Sequence, residues 1–370
     1  MSLRLFASII ALFVFAGSAL ADATVVRLVA VSGKVFIQVP GGDEIRARAG
    51  KTLVPGTRIR TGDDGQAEVS FDDGSSIIVQ NNTSLVLSGI KRHNIKKTSI
   101  LIFFGRIWNK ISRKVGVQAS YEVNTPIFIC GVRGTEFETA VGDDGSVRVR
   151  VSEGQVGVAD GGGDKTVKCG EEVEADIDGV GKTSAAGKEA EWDKWHERKR
   201  KHLQKQGRSI IDKFKHRIMT RKEKLEALRA RQKEVEAKRK RAEERARAGE
   251  SRALEEIRGY NRKLVEIADE IADLGDAAGS QFGLVDHFAD LATDPLFQMV
   301  DGKYVKAEAE SMRRIKAMFD KMIAEGTDIS MEAMDKMLRE MSDGQRGSLR
   351  FKKGSSAEDL FVGEEMDIKP

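Results

Sequence analysis

A change of period near residue 188 constrains this chain more than any other feature. Before it, apolar and polar residues alternate: Val147, Val149 and Val151 are separated by Arg148 and Arg150, and Val156 and Val158 flank Gly157. A period of two gives each strand one apolar face. Residues 65–79 repeat the pattern, with Asp73-Gly74 supplying the left-handed backbone position that a tight hairpin turn needs. Gly50, Gly56, Gly62 and Gly65 punctuate short apolar patches at turn-like intervals. From 188 to 248 there is no Pro and Gly207 is the only Gly, so helix formers take over. The chain therefore reads as multidomain: an all-β N-terminal domain of roll, sandwich or β-helix-like form, followed by an all-α, coiled-coil-like C-terminal region.

Within the helical region, Ile211, Phe214, Ile218, Leu225, Leu228 and Val235 form a heptad seam interrupted by Arg221 and Gln232. Ile257, Tyr260, Leu264, Ile267, Ile271 and Leu274 hold the same spacing without a break. The two seams fit either an antiparallel hairpin within one chain or a homo-oligomeric coiled coil between chains. Asp294-Pro295 ends the next segment, and Ala307–Glu325 and Ser330–Met341 read as two further amphipathic helices rich in Met. The expected layout is a signal peptide over 1–21, the β-domain over 22–177, a flexible linker over 178–187, a long basic helix over 188–248, further helices as coiled coil or small bundle over 250–341, and a disordered tail over 342–370. The β-blocks, able to bury their alternation against each other, are expected to fold without the helices.

Charge follows the same division. Lys and Arg balance Asp and Glu at 21 each over residues 22–187, exceed them 23 to 12 over 188–250, and fall short 17 to 25 over 251–370. Segregation of this kind bears on partners rather than on fold. At the N-terminus, Arg4, the apolar stretch Leu5–Phe15 and Ala19-Leu20-Ala21 match a secretory signal cleaved near Ala21, which predicts a periplasmic protein. Export leaves no role for nucleic acid. Cys130 and Cys169, the only cysteines, are either a disulfide, which an oxidising compartment favours, or two buried thiols.

Between Gly74 and Tyr121 there is no Asp or Glu, and Lys91, Arg92, Lys96, Lys97, Arg106, Lys110, Arg113 and Lys114 form a candidate basic patch. It would either hold an anionic envelope polymer or phospholipid, or be the solvated outer face of hairpins whose aromatics fill the core. Trp192 and Trp195, one helical turn apart beside Arg198-Lys199-Arg200-Lys201, either anchor at a membrane interface or dock the helix start on the neighbouring domain. The five histidines lack metal-ligand spacing, and Asp63-Asp64, Asp72-Asp73 and Asp143-Asp144 sit in Gly-containing turns, where Asp is favoured for backbone reasons. No catalytic, metal or cofactor site is expected, and the chain reads as a non-enzyme.

One series of positions goes further. Gly33-Lys34-Val35, Gly56 to Thr61-Gly62, Gly65 to Gly74, Thr125-Pro126, Val132-Arg133-Gly134-Thr135-Glu136-Phe137 and Glu153-Gly154 with Val156 and Val158 stand in the order of the periplasmic FecR domain, which residues 27 to 175 resemble. The resemblance implies a compact double-layered β-roll and a signature of Gly74, Thr125, Pro126, Val132, Arg133, Gly134, Thr135, Phe137 and Gly154 that is structural, with Arg133 holding strands in register. It also implies a binding or interaction protein of the cell envelope, with a protein partner and a place in envelope signalling. FecR-type regulators carry a spanning helix and a cytoplasmic segment for a sigma factor, which this sequence replaces with a cleavable leader. The alternative function is a structural adaptor that uses the basic patch or helix to hold an anionic cell-wall or outer-membrane polymer.

Overall fold

The structure is a computed structural model describing residues 26–92, 95–112, 119–132, 134–159, 164–187 and 192–348. The expected signal peptide and the segment from 349 onward lie outside these residues. Among the described residues, eighteen strands precede three long helices packed together, as the change of period predicts.

The strands form two ladder sets joined by one strand, β9 (Ile95–Lys110). The first set runs β4 (Thr52–Leu53), β1 (Val26–Ser32), β6 (Gln66–Phe71), β7 (Ser76–Val79), the second half of β9, β12 (Glu136–Val141), β13 (Val147–Glu153) and β16 (Glu171–Asp176). Both β17 (Gly179–Val180) and β18 (Ser184–Ala185) pair with β16. The second set runs β3 (Glu44–Arg46), β2 (Val35–Gln38), β5 (Thr57–Thr61), β8 (Ser84–Arg92), the first half of β9, β10 (Ala119–Asn124), β11 (Ile129–Val132), β14 (Gln155–Ala159) and β15 (Asp164–Lys168). Among the described residues every pairing is antiparallel except β9 with β10, which is parallel. Strand β9 passes between the sets at Gly105, whose φ of 97° only glycine adopts without strain. Phe71 of the first set and Tyr121 of the second meet edge to face at 6.1 Å.

Alternation predicts the core: Val147, Val149, Val151, Val156 and Val158 are all buried. In β9 the rule changes, because Ile100, Leu101, Ile102 and Phe103 are buried in succession. A strand buried on consecutive residues is covered on both faces. Residues 178–187, expected as a flexible linker, carry β17 and β18 on the edge of β16.

The helices are α1 (Trp192–Arg247), α2 (Arg252–Thr293) and α3 (Gly302–Ser348). Helix α1 ends at Gly249, which has φ 95° and donates its N–H to Ala246 O, while Glu250 N reaches Arg245 O. The C-terminal sequence reads as two helices, but α3 is continuous through Gly326, whose buried carbonyl accepts Gln232 Nε2 at 2.8 Å.

The chain divides into two compact units. The first comprises the strands with residues to 227 and 269–323; the second comprises 228–268 and the chain from 324. In the second unit Ile257, Leu264 and Ile267 are buried within one chain, together with Arg229, Gln232 and Arg239. Arg229 bonds Gln232 and reaches Glu325 at 3.2 Å, and Gln232 in turn donates to Gly326 O, so this polar break in the first seam joins two helices. Among the described residues, no helix is long and apolar enough to cross a membrane.

Candidate functional site: the helix clasp on the β-roll

In the first unit, α2 lies on β9 because its small residues repeat every fourth position. A side-chain carbon on Gly279 would fall 2.8 Å from Leu101, and one on Gly283 would fall under 3.0 Å from three atoms of the Phe103 ring. Gly275 meets Ile323 of α3 in the same way, at 2.7 Å. Glycine at these positions gives up helix propensity in exchange for close approach.

The Thr125-Pro126 turn is the first grip. Thr125 Oγ1 donates to Phe128 O at 2.7 Å and accepts Phe128 N–H at 3.0 Å, closing the turn on itself. That leaves two buried carbonyls facing α2, and α2 meets both: Ser280 Oγ donates to Thr125 O and Gln281 Nε2 to Pro126 O, each at 2.9 Å. One turn back, Asp276 accepts the hydroxyls of Ser99 at 2.9 Å and Ser88 at 3.2 Å.

The β12–β13 turn is the second grip. Gly142 N bonds Ser146 O, and Ser146 N bonds Asp144 Oδ1 at 2.9 Å, which is the backbone role that a Gly-flanked Asp pair predicts. Gly145, at φ 82°, sits where a side chain would strike Leu284 and Phe214 at 2.6 Å. The remaining carboxylate oxygens take on a second task. Asp143 receives His287 Nε2 at 2.9 Å and faces His196 Nε2 at 3.7 Å, while Asp144 Oδ2 lies 2.7 Å from His202 Nδ1. The ring of His287 is stacked on Phe104 at 3.7 Å. Burial pushes the Asp143 carboxyl up, but the His287 hydrogen bond and the nearby His287, His196 and Arg200 outweigh it and hold the group below the usual carboxylate range. Sequence spacing does not pair these groups, since each histidine is at least 50 residues from its acid; the uninterrupted apolar run Ile100–Phe104 and the glycines at every fourth residue are the signals that helices cover this face.

The start of α1 is the third grip. Trp195 is buried, Trp192 stacks on it at 5.1 Å, and the Arg106 guanidinium lies 5.1 Å over Trp192. Of the two readings of this tryptophan pair, the structure shows docking onto the β-roll. Arg106 also pairs with Glu138 at 3.4 Å, so this member of the basic patch is turned to the helix contact. Lys110 is 70% exposed, 4.0 Å from Glu136. Arg113 and Lys114 lie outside the described residues, as do the side chains of Lys91, Arg92, Lys96 and Lys97.

The remaining signature positions form turns and core. Gly74 has φ 85°; Val132 pairs with Val156; Phe137 is fully buried. Gly134 and Gly154 both have positive φ, and Thr135 Oγ1 donates to Gln155 O at 3.0 Å. Arg133 lies outside the described residues. Cys130 and Cys169 are both free, which removes the disulfide. Cys130 points into the sheet core from β11, where burial raises its pKa despite a hydrogen bond to Thr139, whereas Cys169 is exposed in the turn after β15 and contacts Ser152 O. Of the described residues, no group of three His, Cys, Asp or Glu is arranged to hold a metal.

A double-layered β-roll clasped by long helices is thus the class of protein defined by this geometry. Its strand region is of a known type: the FecR protein family matches residues 57–157, so the chain carries a FecR domain from β5 into β14. Two crystal structures of a "putative anti-sigma factor" from Parabacteroides distasonis resemble it at 18% identity, with TM-scores of 0.30 and 0.31, covering 36% and 37% of this chain. The chain spans 61% and 63% of their length. No curated protein matches it.

Proposed function

We propose that this protein is a non-enzymatic interaction protein of the bacterial cell envelope, exported to the periplasm, in which the FecR domain and its helices together present a surface to a protein partner in envelope signalling. The FecR match over residues 57–157 carries the reading. The clasp supports it, because the polar groups of the Thr125 and Asp143 turns are engaged with α1 and α2 and so serve assembly of the surface rather than chemistry. The partner is reached from β3, an edge strand that shows Ile45 exposed beside Glu44 and Arg46 and, among the described residues, pairs with β2 alone. An unpaired edge is a ready template for a strand of another protein.

Photo-cross-linking in cells tests this, with the reactive group placed at Ile45 and, as a control, at Lys110. A discrete adduct with one envelope protein from Ile45, retained in moderate salt, is the expected result. Adducts of equal pattern from both sites would count against a specific partner, and retention on cell-wall material that salt abolishes would favour the polymer-binding adaptor instead. N-terminal sequencing of the same material tests export; it should begin near Asp22.

A further inference from the structure

Helix α1 bends at Gln206, whose φ of −119° and ψ of 17° leave the helical region. Beside the bend opens a cleft of about 750 Å³ lined by Lys205, Arg208, Lys213, His216, Arg217 and Asp301, among others. Two further carboxylates there are engaged: Asp178 holds Lys213 Nζ at 2.6 and 2.7 Å, and Asp212 accepts the Tyr304 hydroxyl at 2.7 Å. Lys205 and Arg208 are exposed, and the Arg208 guanidinium is held 4.3 Å over the Tyr304 ring.

The α2–α3 connection, residues 294–301, borders the same bend. Val300 N donates to Gln204 O at 3.0 Å, and Met299 packs where Gly207 leaves room. This connection carries the two most exposed large apolar side chains among the described residues, Leu296 at 89% and Val300 at 78%. It is not a loose end. Phe297 between them is buried under the Arg200 guanidinium, 4.9 Å over its ring, and Asp294 Oδ1 accepts Leu296 N–H at 2.9 Å.

Single exposed apolar residues are ordinary, but a pair held outward by a buried anchor, with Arg200, Lys205 and Arg208 alongside, is the arrangement of an interfacial membrane contact. We propose that this end of the first unit docks on an anionic bilayer, with Leu296 and Val300 entering the boundary between headgroups and acyl chains and the three cations lying at the lipid phosphates. A bilayer suits the shape, because apolar side chains that protrude need no complementary pocket in a fluid phase. This proposal does not depend on the partner reading.

Co-sedimentation of the full-length protein with vesicles tests the proposal. The protein should pellet with equal parts phosphatidylglycerol and phosphatidylcholine, less in high salt, and not with phosphatidylcholine alone, since each cation near an anionic surface is worth roughly fivefold in partitioning. L296S/V300S should weaken binding by roughly tenfold or more, with far-UV ellipticity unchanged because both positions are exposed. K205E/R208E should remove the preference for anionic vesicles. Equal binding to both vesicle types, or L296S/V300S binding like the parent, would overturn the proposal. So would concentration-dependent self-association that L296S/V300S abolishes in the absence of vesicle binding, which would assign the surface to a second copy.

Discussion

Gly283 and Gly259 lie in the same helix, yet replacing each with Ala should change stability in opposite directions. A methyl group on Gly283 would fall under 3.0 Å from three atoms of the Phe103 ring. That ring cannot retreat: it is 4% exposed, and the Arg58 guanidinium lies 5.0 Å over it. Overpacking costs about 1–3 kcal/mol, and a clash with three atoms of a hemmed-in ring belongs at the upper end. Ala recovers about 1 kcal/mol of helix propensity over Gly. The balance for Gly283→Ala is a loss of about 2 kcal/mol. Gly259 has nothing within 4 Å of the same added atom, so Gly259→Ala should stabilise the helix by about 0.5–1 kcal/mol. All three tryptophans, Trp108, Trp192 and Trp195, belong to the first unit, so a urea titration followed by tryptophan fluorescence reads the transition that Gly283 affects. Far-UV ellipticity reads the helix that carries Gly259. Pairing Gly283→Ala with Phe103→Leu should recover about 1 kcal/mol relative to the sum of the single changes, because the two residues touch. A Gly283→Ala protein as stable as the parent, or without coupling to Phe103, would refute the direct seating of α2 on β9.

Ser280→Ala and Gln281→Ala each leave a buried carbonyl of the Thr125-Pro126 turn without its donor, which should cost about 1–3 kcal/mol apiece in the same titration; Thr293→Ala, at an exposed side chain, serves as the neutral control. The Asp143 carboxyl is held below its usual range, so its folded pKa is lower than its unfolded one and its stabilisation is complete above about pH 4 and lost as pH falls through the folded value. Asp143→Asn should therefore lower stability by roughly 2 kcal/mol at neutral pH and flatten the acid limb of a stability–pH curve, and an unchanged limb would show that the histidines do not favour the ionised form. In the second unit Leu264→Asp with Ile267→Asp places two charges at fully buried positions and should cost several kcal/mol, read as lost helicity by circular dichroism.

Local rules carried the reading of the strands, since Val147, Val149 and Val151 need only their own period to declare a face. The FecR resemblance likewise rests on residues whose order is linear. The clasp was not readable in that way. Asp143-Asp144 reads correctly as turn chemistry, and nothing in its neighbourhood says that His196, His202 and His287 converge on it, because helical period fixes which face a histidine takes but not which surface that face meets. The disulfide failed for a related reason. A shared compartment permits a bridge, but Cys130 projects into a sheet core and Cys169 stands in an exposed turn. The expectation that the strands fold alone treats every apolar strand face as covered by another strand, whereas Leu101 and Phe103 face α2.

Strand β9 serves both ladder sets, which makes it a ruler that two sheets read at once. A single residue inserted between Ile100 and Phe104 would exchange inner for outer side chains where the strand pairs with β8 and β10 while leaving its pairing with β7 and β12 untouched. No compensating slip could restore both halves. Gain or loss of a residue inside β9 is therefore disfavoured, whereas the turn at Gly41, where φ is 72° and the surrounding space is open, can take an inserted tag.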